Sequence, residues 1–294
     1  MCAFVSAAAD IEPIDILHLG REKVLCTWRV GDLIIDPGPT TCADTLVEAL
    51  GGRVPKAILL THIHLDHAGA TGELVRRWPG VEVYVHERGA RHMVDPSKLI
   101  NSASMLYQEQ MEVLWGEILP VPEESVRILT GGETIALEGG IEVAYTPGHA
   151  QHHVSYLHLS SGTAFVGDVA GVRIPPAGAV IAPTPPPDIN VEVWHESIDL
   201  IERWAPDSLG LTHWGRVDDP AAQLEAVRRC LDDHAALARD LDAPEFATAV
   251  RERLARDVGG EIAEAYFQAS PPDQLHAGLA RYWAKRAERE AGEA

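Results

Sequence analysis

One stretch constrains this chain more than any other: Ala57-Ile58-Leu59-Leu60-Thr61-His62-Ile63-His64-Leu65-Asp66-His67-Ala68-Gly69. An apolar run that reads as a buried strand ends in His62, His64, Asp66 and His67, four metal-type ligands in six positions. Alternate residues of an extended segment face the same way, so His62 and His64 can address one ion while Ile63 turns into the core. Asp66 and His67 fall where the chain bends into a helix expected over Ala68 to Trp78, and they can face elsewhere. Clustered polar groups held away from water need partners, and one cation, or two, supplies them. With 14 His in 294 residues, a surface histidine cluster is the competing reading. The rest of the chain decides against it.

Length allows one large domain with an appendage, and 46% hydrophobic residues suffice for a core. Lys plus Arg number 24 against 44 Asp plus Glu, a net charge of -20. Such a surface repels phosphate backbones, so nucleic acid is not an expected partner. Cys2, Cys26, Cys42 and Cys230 are scattered with no Cys-x-x-Cys pair, which argues against a thiolate metal site or a disulfide framework. The opening Met1 to Asp10 has no basic leader, and no run of about 18 apolar residues offers a membrane span. The expectation is a soluble, cytoplasmic protein that acts on a small molecule, with no membrane or nucleic-acid partner; a homo-oligomer stays open.

Turn signals and alternation divide the first half into a meander, Ile14 to Leu19, Lys23 to Val30 and Leu33 to Ile35, then a helix from Cys42 to Leu50 and a strand from Lys56 to Leu60. Val81 to His86 reads as a further strand, so strand, helix and strand make a βαβ unit and part of the sheet is parallel. Pro96 to Gly116 has helical spacing and reads as an insertion at about 95–124, where a pocket lid would sit. Strands are expected at Val126 to Leu129, Glu133 to Leu137, Ile141 to Tyr145, Val154 to Leu159, Thr163 to Val166 and Ser208 to Leu211. A proline-rich loop spans Arg173 to Pro187, and helices are expected at Val191 to Trp204 and Pro220 to Leu237. Beyond Asp242 the pattern is helical throughout: Pro244 to Arg256, Glu261 to Gln268, and Pro271 onward. This gives a catalytic domain over 1–240 and a helical C-terminal extension over 241–294.

Four strand ends therefore deliver metal-type ligands: His62, His64, Asp66 and His67 from one, then His149, Asp168 and His213. Ligand ends of this kind converge on one edge of a layered α/β fold. Seven ligands suit two ions, one held by three imidazoles, the other by two imidazoles and a carboxylate, with a shared carboxylate. Nitrogen and oxygen donors suit zinc, with iron or manganese as alternatives.

Thr61-His62-Ile63-His64-Leu65-Asp66-His67-Ala68-Gly69, Thr146-Pro147-Gly148-His149, Gly167-Asp168 and Thr212-His213 resemble, in order, the ligand motifs of the metallo-β-lactamase superfamily. The resemblance covers about residues 12 to 235 and implies an α/β fold, the αββα sandwich of two mixed β-sheets flanked by helices. It implies His62, His64 and His149 on one metal, Asp66, His67 and His213 on the second, and Asp168 between them. Asp36, in Ile35-Asp36-Pro37-Gly38, would orient the ligand loop from behind. Val85 to His92, Asp95 to Leu99, His152-His153, Gly167 to Gly171 and the Thr184 to Asp188 proline run look like features of an uncharacterised hydrolase group within that superfamily. Acyl-homoserine lactonases often carry a tyrosine soon after the bridging aspartate, where this chain has Val169, Ala170 and Gly171. The basic C-terminal glutathione site of glyoxalase-type thioesterases has no evident match.

The implied chemistry is hydrolysis of a small ester, lactone or thioester. A hydroxide bridging two ions, formed as the pKa of water falls from about 15.7 toward about 7, attacks the carbonyl, and Asp66 serves as the catalytic carboxylate that steers protons. The alternative on the same scaffold is a mononuclear iron sulfur dioxygenase, against which the intact Asp66, His67 and His213 weigh. His153 is expected to make a structural hydrogen bond. Arg91, Arg173 and Trp214 are candidate substrate contacts that packing or ion pairing explains equally well, and Tyr107, Met111 and Trp115 are expected mainly in packing.

Overall fold

Leu33-Ile34-Ile35 and Ala57-Ile58-Leu59 are apolar and buried at every position, so the strands they form need cover on both faces. A second sheet covers one face and helices cover the other. The computed structural model describes residues 10–176 and 178–293. Cys2 and the rest of the first nine residues lie outside the described residues, as do Ala177 of the proline-rich loop and Ala294.

The first sheet runs in the order β1 (Ile11–Asp15), β2 (Cys26–Val30), β3 (Leu33–Ile35), β4 (Ala57–Leu59), β5 (Glu82–His86) and β6 (Val126–Leu129). β1 to β3 form the antiparallel meander, and β3 to β6 are parallel. The second sheet holds β7 (Thr134–Ile135), β8 (Ile141–Tyr145), β9 (Val154–His158), β10 (Thr163–Phe165), β11 (Ser208–Leu211) and β12 (Gly215–Val217). There β10 and β11 are parallel and the other pairs antiparallel. Helices follow the chain as α1 (Ala43–Ala49), α2 (Leu65–Ala68), α3 (Thr71–Arg77), α4 (Glu87–Val94), α5 (Ser97–Tyr107), α6 (Met111–Trp115), α7 (Val191–Trp204), α8 (Pro220–Asp240), α9 (Ala243–Val258), α10 (Gly260–Ala269) and α11 (Pro272–Glu293). The result is the αββα sandwich of two mixed sheets flanked by helices that the resemblance implies.

Strand alternation sorts the core into two. Leu33, Ile35, Leu59, Val143, Tyr156 and Phe165 meet between the sheets, whereas Ile34, Ile58, Val83 and Leu209 face the helices. Trp28 meets Phe165 edge-on across the sheets at 5.3 Å between centroids. A Cβ at Gly210 would lie 2.6 Å from the Phe165 ring and 3.0 Å from that of Trp28, so only glycine leaves room for that pair.

Strand direction positions the ligands. β8 and β10 are both antiparallel to β9 and therefore run the same way, as β11 does with β10. Their carboxyl ends, followed by His149, Asp168 and His213, share one edge of the second sheet. The carboxyl ends of the parallel β3 and β4 carry Asp36 and the His62 loop. Val154 N donates to Thr61 O at 2.8 Å, Tyr156 Oη to Leu60 O at 2.7 Å and Cys26 N to Thr212 O at 2.9 Å, tying the two edges together.

The helix expected over Ala68 to Trp78 is split in two, a short α2 that starts earlier, at Leu65, and ends at Ala68, and α3 from Thr71 to Arg77. His64 is extended (φ -62°, ψ 151°) and precedes the first turn, and Leu65 is buried against Ala103 and Trp115 of the inserted helices. Asp66 and His67 therefore sit inside a helical turn. The three residues of β12 and the helix α4 are additions to the sequence reading.

The C-terminal helices join the main core. Asp242 caps α9 in a reciprocal box with Glu245, a strong local start signal. Phe246, Tyr266, Leu275 and Leu279 are buried in the same cluster as Ile198 and Leu231. Tyr266 Oη donates to Ala179 O at 2.7 Å, and Thr184 Oγ1 donates to Leu275 O at 3.0 Å, fastening α10 and α11 to the proline-rich loop. Among the described residues, no helix is long and apolar enough to cross a membrane.

Candidate metal centre

The alternation of His62-Ile63-His64 does what an extended segment requires. Ile63 is buried while His62 Nε2 lies 3.0 Å from His64 Nδ1, which in turn lies 3.0 Å from His149 Nε2. The second group forms in the helical turn, where His213 Nε2 is 3.3 Å from Asp66 Oδ2 and His67 Nε2 is 3.8 Å from the same oxygen. Asp168 stands between the groups. Its Oδ2 lies 3.4 Å from His149 Nε2, whereas its Oδ1 lies 3.1 Å from His67 Nε2 and 3.5 Å from His213 Nε2. Ligand atoms of His62, His64, His149 and Asp168 all fall within 4.8 Å of one another, and so do those of Asp66, His67 and His213. All seven residues singled out in the sequence are thus brought together.

A close approach is not a bond. His67 Nε2, His213 Nε2 and Asp168 Oδ1 are buried yet have no hydrogen-bond partner among the described residues, although they lie near each other. Buried polar atoms are normally paired, and three orphans converging on common space fit cations bound there. The far nitrogens are held. His67 Nδ1 is 2.7 Å from Asp36 Oδ2, His149 Nδ1 is 2.8 Å from Pro183 O, His213 Nδ1 is 3.1 Å from Val24 O, and His62 Nδ1 is 3.1 Å from Thr61 Oγ1. Anchoring one ring nitrogen to an acceptor fixes the tautomer and aims the other.

Asp36 is fully buried at φ 52°. It accepts from Thr61 N at 2.8 Å, Thr61 Oγ1 at 2.6 Å and Thr212 Oγ1 at 2.9 Å as well as facing His67. One carboxylate therefore braces ligand-bearing segments from both sheets.

Burial, reinforced by neighbouring imidazoles, holds His62 well below its ordinary pKa, and burial brings His149 down to about 4. Burial would depress His67 too, but Asp168, Asp36 and Asp66 outweigh it and hold that imidazole well above its ordinary value. Burial would raise Asp168, yet His67, His213 and His149 keep it ionised far below the usual carboxylate range. His62 and His149 are thus held neutral beside an ionised Asp168, donors that a divalent cation takes, and a bound cation would displace the proton that the carboxylates hold on His67.

A cavity of about 810 Å³ opens over His64, Asp66 and Asp168. Its walls include Tyr107 and Leu106 of the insertion, Pro183 and Pro185 of the proline-rich loop, and Gln274 and Leu275 of α11. A smaller cavity of about 190 Å³ reaches Asp66 and His213 from the other side, past Tyr107 and Trp115. His153 makes the expected structural contact, Nδ1 lying 2.9 Å from Thr146 Oγ1. His152 Nδ1 accepts from Ile63 N at 3.3 Å, bracing the ligand loop. His86 stacks on Tyr145 at 4.3 Å and starts α4 by accepting from Arg88 N.

Of the suggested substrate contacts, Arg91 lines the large cavity. Arg173 turns instead to Gln223 at 3.2 Å, and Trp214 packs on the core between the sheets. Trp115 packs with Leu65 and Met111, and Tyr107 joins that cluster while facing both cavities. Arg88, Lys98, Gln274 and Arg281 were not singled out in the sequence; they line the cavity, and only the docking of distant helices brings them there.

Residues 31–213 match the family model described as the metallo-beta-lactamase superfamily. The chain is 31% identical over 225 residues to the metallo-beta-lactamase fold-containing protein ST1585 of Sulfurisphaera tokodaii, covering 74% of this chain and 81% of that protein. The crystal structure of ST1585, reported from Sulfolobus tokodaii, superposes with a TM-score of 0.67 at 24% identity, covering 93% of this chain and 98% of that one. A hydroxyacylglutathione hydrolase of Buchnera aphidicola is 29% identical over 158 residues, 54% of this chain and 50% of the relative. With a family model matching well over half its length and a fold to suit, this chain belongs to the metallo-beta-lactamase superfamily.

Proposed function

We propose that the chain is a dinuclear metal-dependent hydrolase of small esters, lactones or thioesters. The observation that carries this reading is the split of Asp168, with one oxygen toward His149 and the other toward His67 and His213. His62, His64 and His149 would hold one ion, Asp66, His67 and His213 the other, and Asp168 both. A donor set of imidazoles and carboxylates suits zinc, with iron or manganese as alternatives.

When bound, such a pair supplies an acidified water as nucleophile and a Lewis acid for the carbonyl oxygen. Water adds across the acyl bond, and the products are a carboxylate and an alcohol or thiol. Asp66 lines the cavity with its side chain 20% exposed. Its Oδ1 makes no hydrogen bond among the described residues, so that atom can take the proton of the attacking water and return it to the leaving group. Leu65, Leu106 and Pro185 line the cavity and would offer the acyl chain an apolar surface. Among the described residues the cysteines offer no competing nucleophile, since burial raises the thiol of Cys26 and brings those of Cys42 and Cys230 to about 11, and none of the three lines the cavity.

The partial likeness to a hydroxyacylglutathione hydrolase supports acyl hydrolysis. The test is a panel of esters, lactones and thioesters with the metal-replete chain. Turnover that a chelator abolishes and added zinc restores supports the reading; turnover indifferent to chelator contradicts it.

A further inference from the structure

Two motifs of the sequence, Val85 to His92 and Asp95 to Leu99, take no part in the metal centre. The structure puts their basic residues on the cavity wall. A Cβ added at Gly89 would lie 2.9 Å from Ile63 Cγ2 and 3.5 Å from His152 Cβ, so α4 presses its backbone on the loop between His62 and His64. Arg88 and Arg91 flank that glycine one turn apart, where i and i+3 side chains are neighbours, and both line the cavity. Lys98 reaches it from the first turn of α5 and Arg281 from α11.

Their grouping is unusual for this chain. Overall, 44 acidic residues outnumber 24 basic ones, yet apart from the ligand carboxylates this wall sets Arg88, Arg91, Lys98 and Arg281 against only Glu87 and Asp188. Among the described residues none of the four is in an ion pair, a state shared with basic residues elsewhere such as Arg53, Arg173 and Arg256, so it is their grouping on one wall that sets them apart. Arg88 Nη1 donates to the neutral Gln151 Oε1 at 3.0 Å, and Arg281 Nε to Pro187 O at 3.3 Å. These contacts steady the side chains without neutralising them. Cations converging from three helices on a cleft with apolar walls concentrate positive potential there.

We propose that the cavity selects acyl substrates bearing an anionic group, a carboxylate or a phosphate, set apart from the scissile carbonyl and recognised by Arg88, Arg91, Lys98 and Arg281. This rests on the hydrolase reading and names its substrate class. The carbonyl lies over Asp66 and Asp168, the apolar chain lies along Leu99, Ala103 and Leu106, and the anion lies at the basic rim. Arginine also suits both oxyanions because its planar fork matches them.

The experiment compares 4-nitrophenyl butyrate, the hydrogen glutarate ester of 4-nitrophenol and butyryl coenzyme A on the metal-loaded full chain. At least one anionic substrate is expected to exceed the neutral ester by about tenfold in kcat/KM, with an advantage that shrinks between about 0.05 and about 0.5 M salt as screening grows. Which one wins distinguishes carboxylate from phosphate. The double substitution Arg91→Ala with Lys98→Ala is expected to cut the anionic-to-neutral ratio about fivefold to tenfold, through KM, as removal of two partly exposed charges does. Arg91→Lys should retain most of the ratio. Equal kcat/KM for neutral and anionic substrates, unmoved by the double substitution, overturns the proposal while leaving the hydrolase standing. If nothing is hydrolysed, the hydrolase reading falls, and calorimetry with the propylamides of glutaric and butyric acid still decides recognition: preferential binding of the anionic amide, lost in the double variant, supports it, and equal binding overturns it.

Discussion

Asp36 Oδ2 lies 2.7 Å from His67 Nδ1, so the carboxylate sets the direction in which the imidazole's free nitrogen points. Because the same carboxylate also accepts from Thr61 and Thr212, it couples the ligand loop of one sheet to the His213 end of the other. Replacing Asp36 by Ala is expected to weaken the ion held through His67 by about 10- to 100-fold, as loss of such an outer partner does. It should also destabilise the fold by about 3 kcal/mol, because several buried donors lose their acceptor. Competition with a chelator and denaturant titration measure both. Unchanged affinity would reduce Asp36 to a packing role.

Asp66, like His64, is a partly exposed ligand that lines the cavity. Asp66→Asn keeps the shape and removes the proton acceptor, so kcat should fall by at least about 100-fold with an unaltered circular dichroism spectrum. Full turnover would take Asp66 out of the mechanism.

The proline-rich wall depends on one glycine of α11. A Cβ at Gly278 would lie 2.0 Å from Thr184 O, and backbone cannot yield as a flexible side-chain end can. Gly278→Ala is expected to cost about 1–3 kcal/mol, the range for overpacking, and to raise KM by displacing Pro185 and Arg281. Thermal melting and initial rates test it; a variant as stable as wild type would mean that α11 is not seated on this loop.

His234 of α8 is buried at 5% exposure beside Cys230 and Phe246, with Arg253 and Asp233 as the charges it feels. Burial lowers it from 6.5 to about 4, so the unfolded chain binds more protons between those values. The neutral ring's contribution is therefore complete above pH 6.5, falls as the pH drops toward 4, and amounts to about 3 kcal/mol. His234→Leu should gain stability relative to wild type as the pH falls from 7 to 4.5, measured by urea unfolding at each pH. A difference that does not change with pH would contradict a neutral His234.

Much of the centre was legible because metal ligands sit at strand ends and keep their identity whatever the surrounding packing. His62, His64, His149, Asp168 and His213 could be placed that way, and Asp36 through the resemblance of Ile35-Asp36-Pro37-Gly38 to the superfamily's early aspartate. The start of α2 was misread because the ligand cluster hides the helical apolar pattern, and Leu65 shows its role only once Ala103 and Trp115 lie against it. The three residues of β12 are too few to show a period, and α4 follows β5 with no turn residue between them. Gln274 and Arg281 could not be assigned to the cavity because nothing local tells where α11 docks. The clue in hindsight is Gly278, a small residue on a helix face that meets another backbone.

The most direct measurement is the metal content per chain, by elemental analysis, of the protein purified without chelator, alongside His149→Ala and His213→Ala. The expected result is about two divalent ions in the wild type and about one in each variant, since the two imidazoles serve different members of a dinuclear pair. A single iron in the wild type that survives His213→Ala, with oxygen consumption and no ester hydrolysis, would contradict the dinuclear hydrolase and favour the iron dioxygenase.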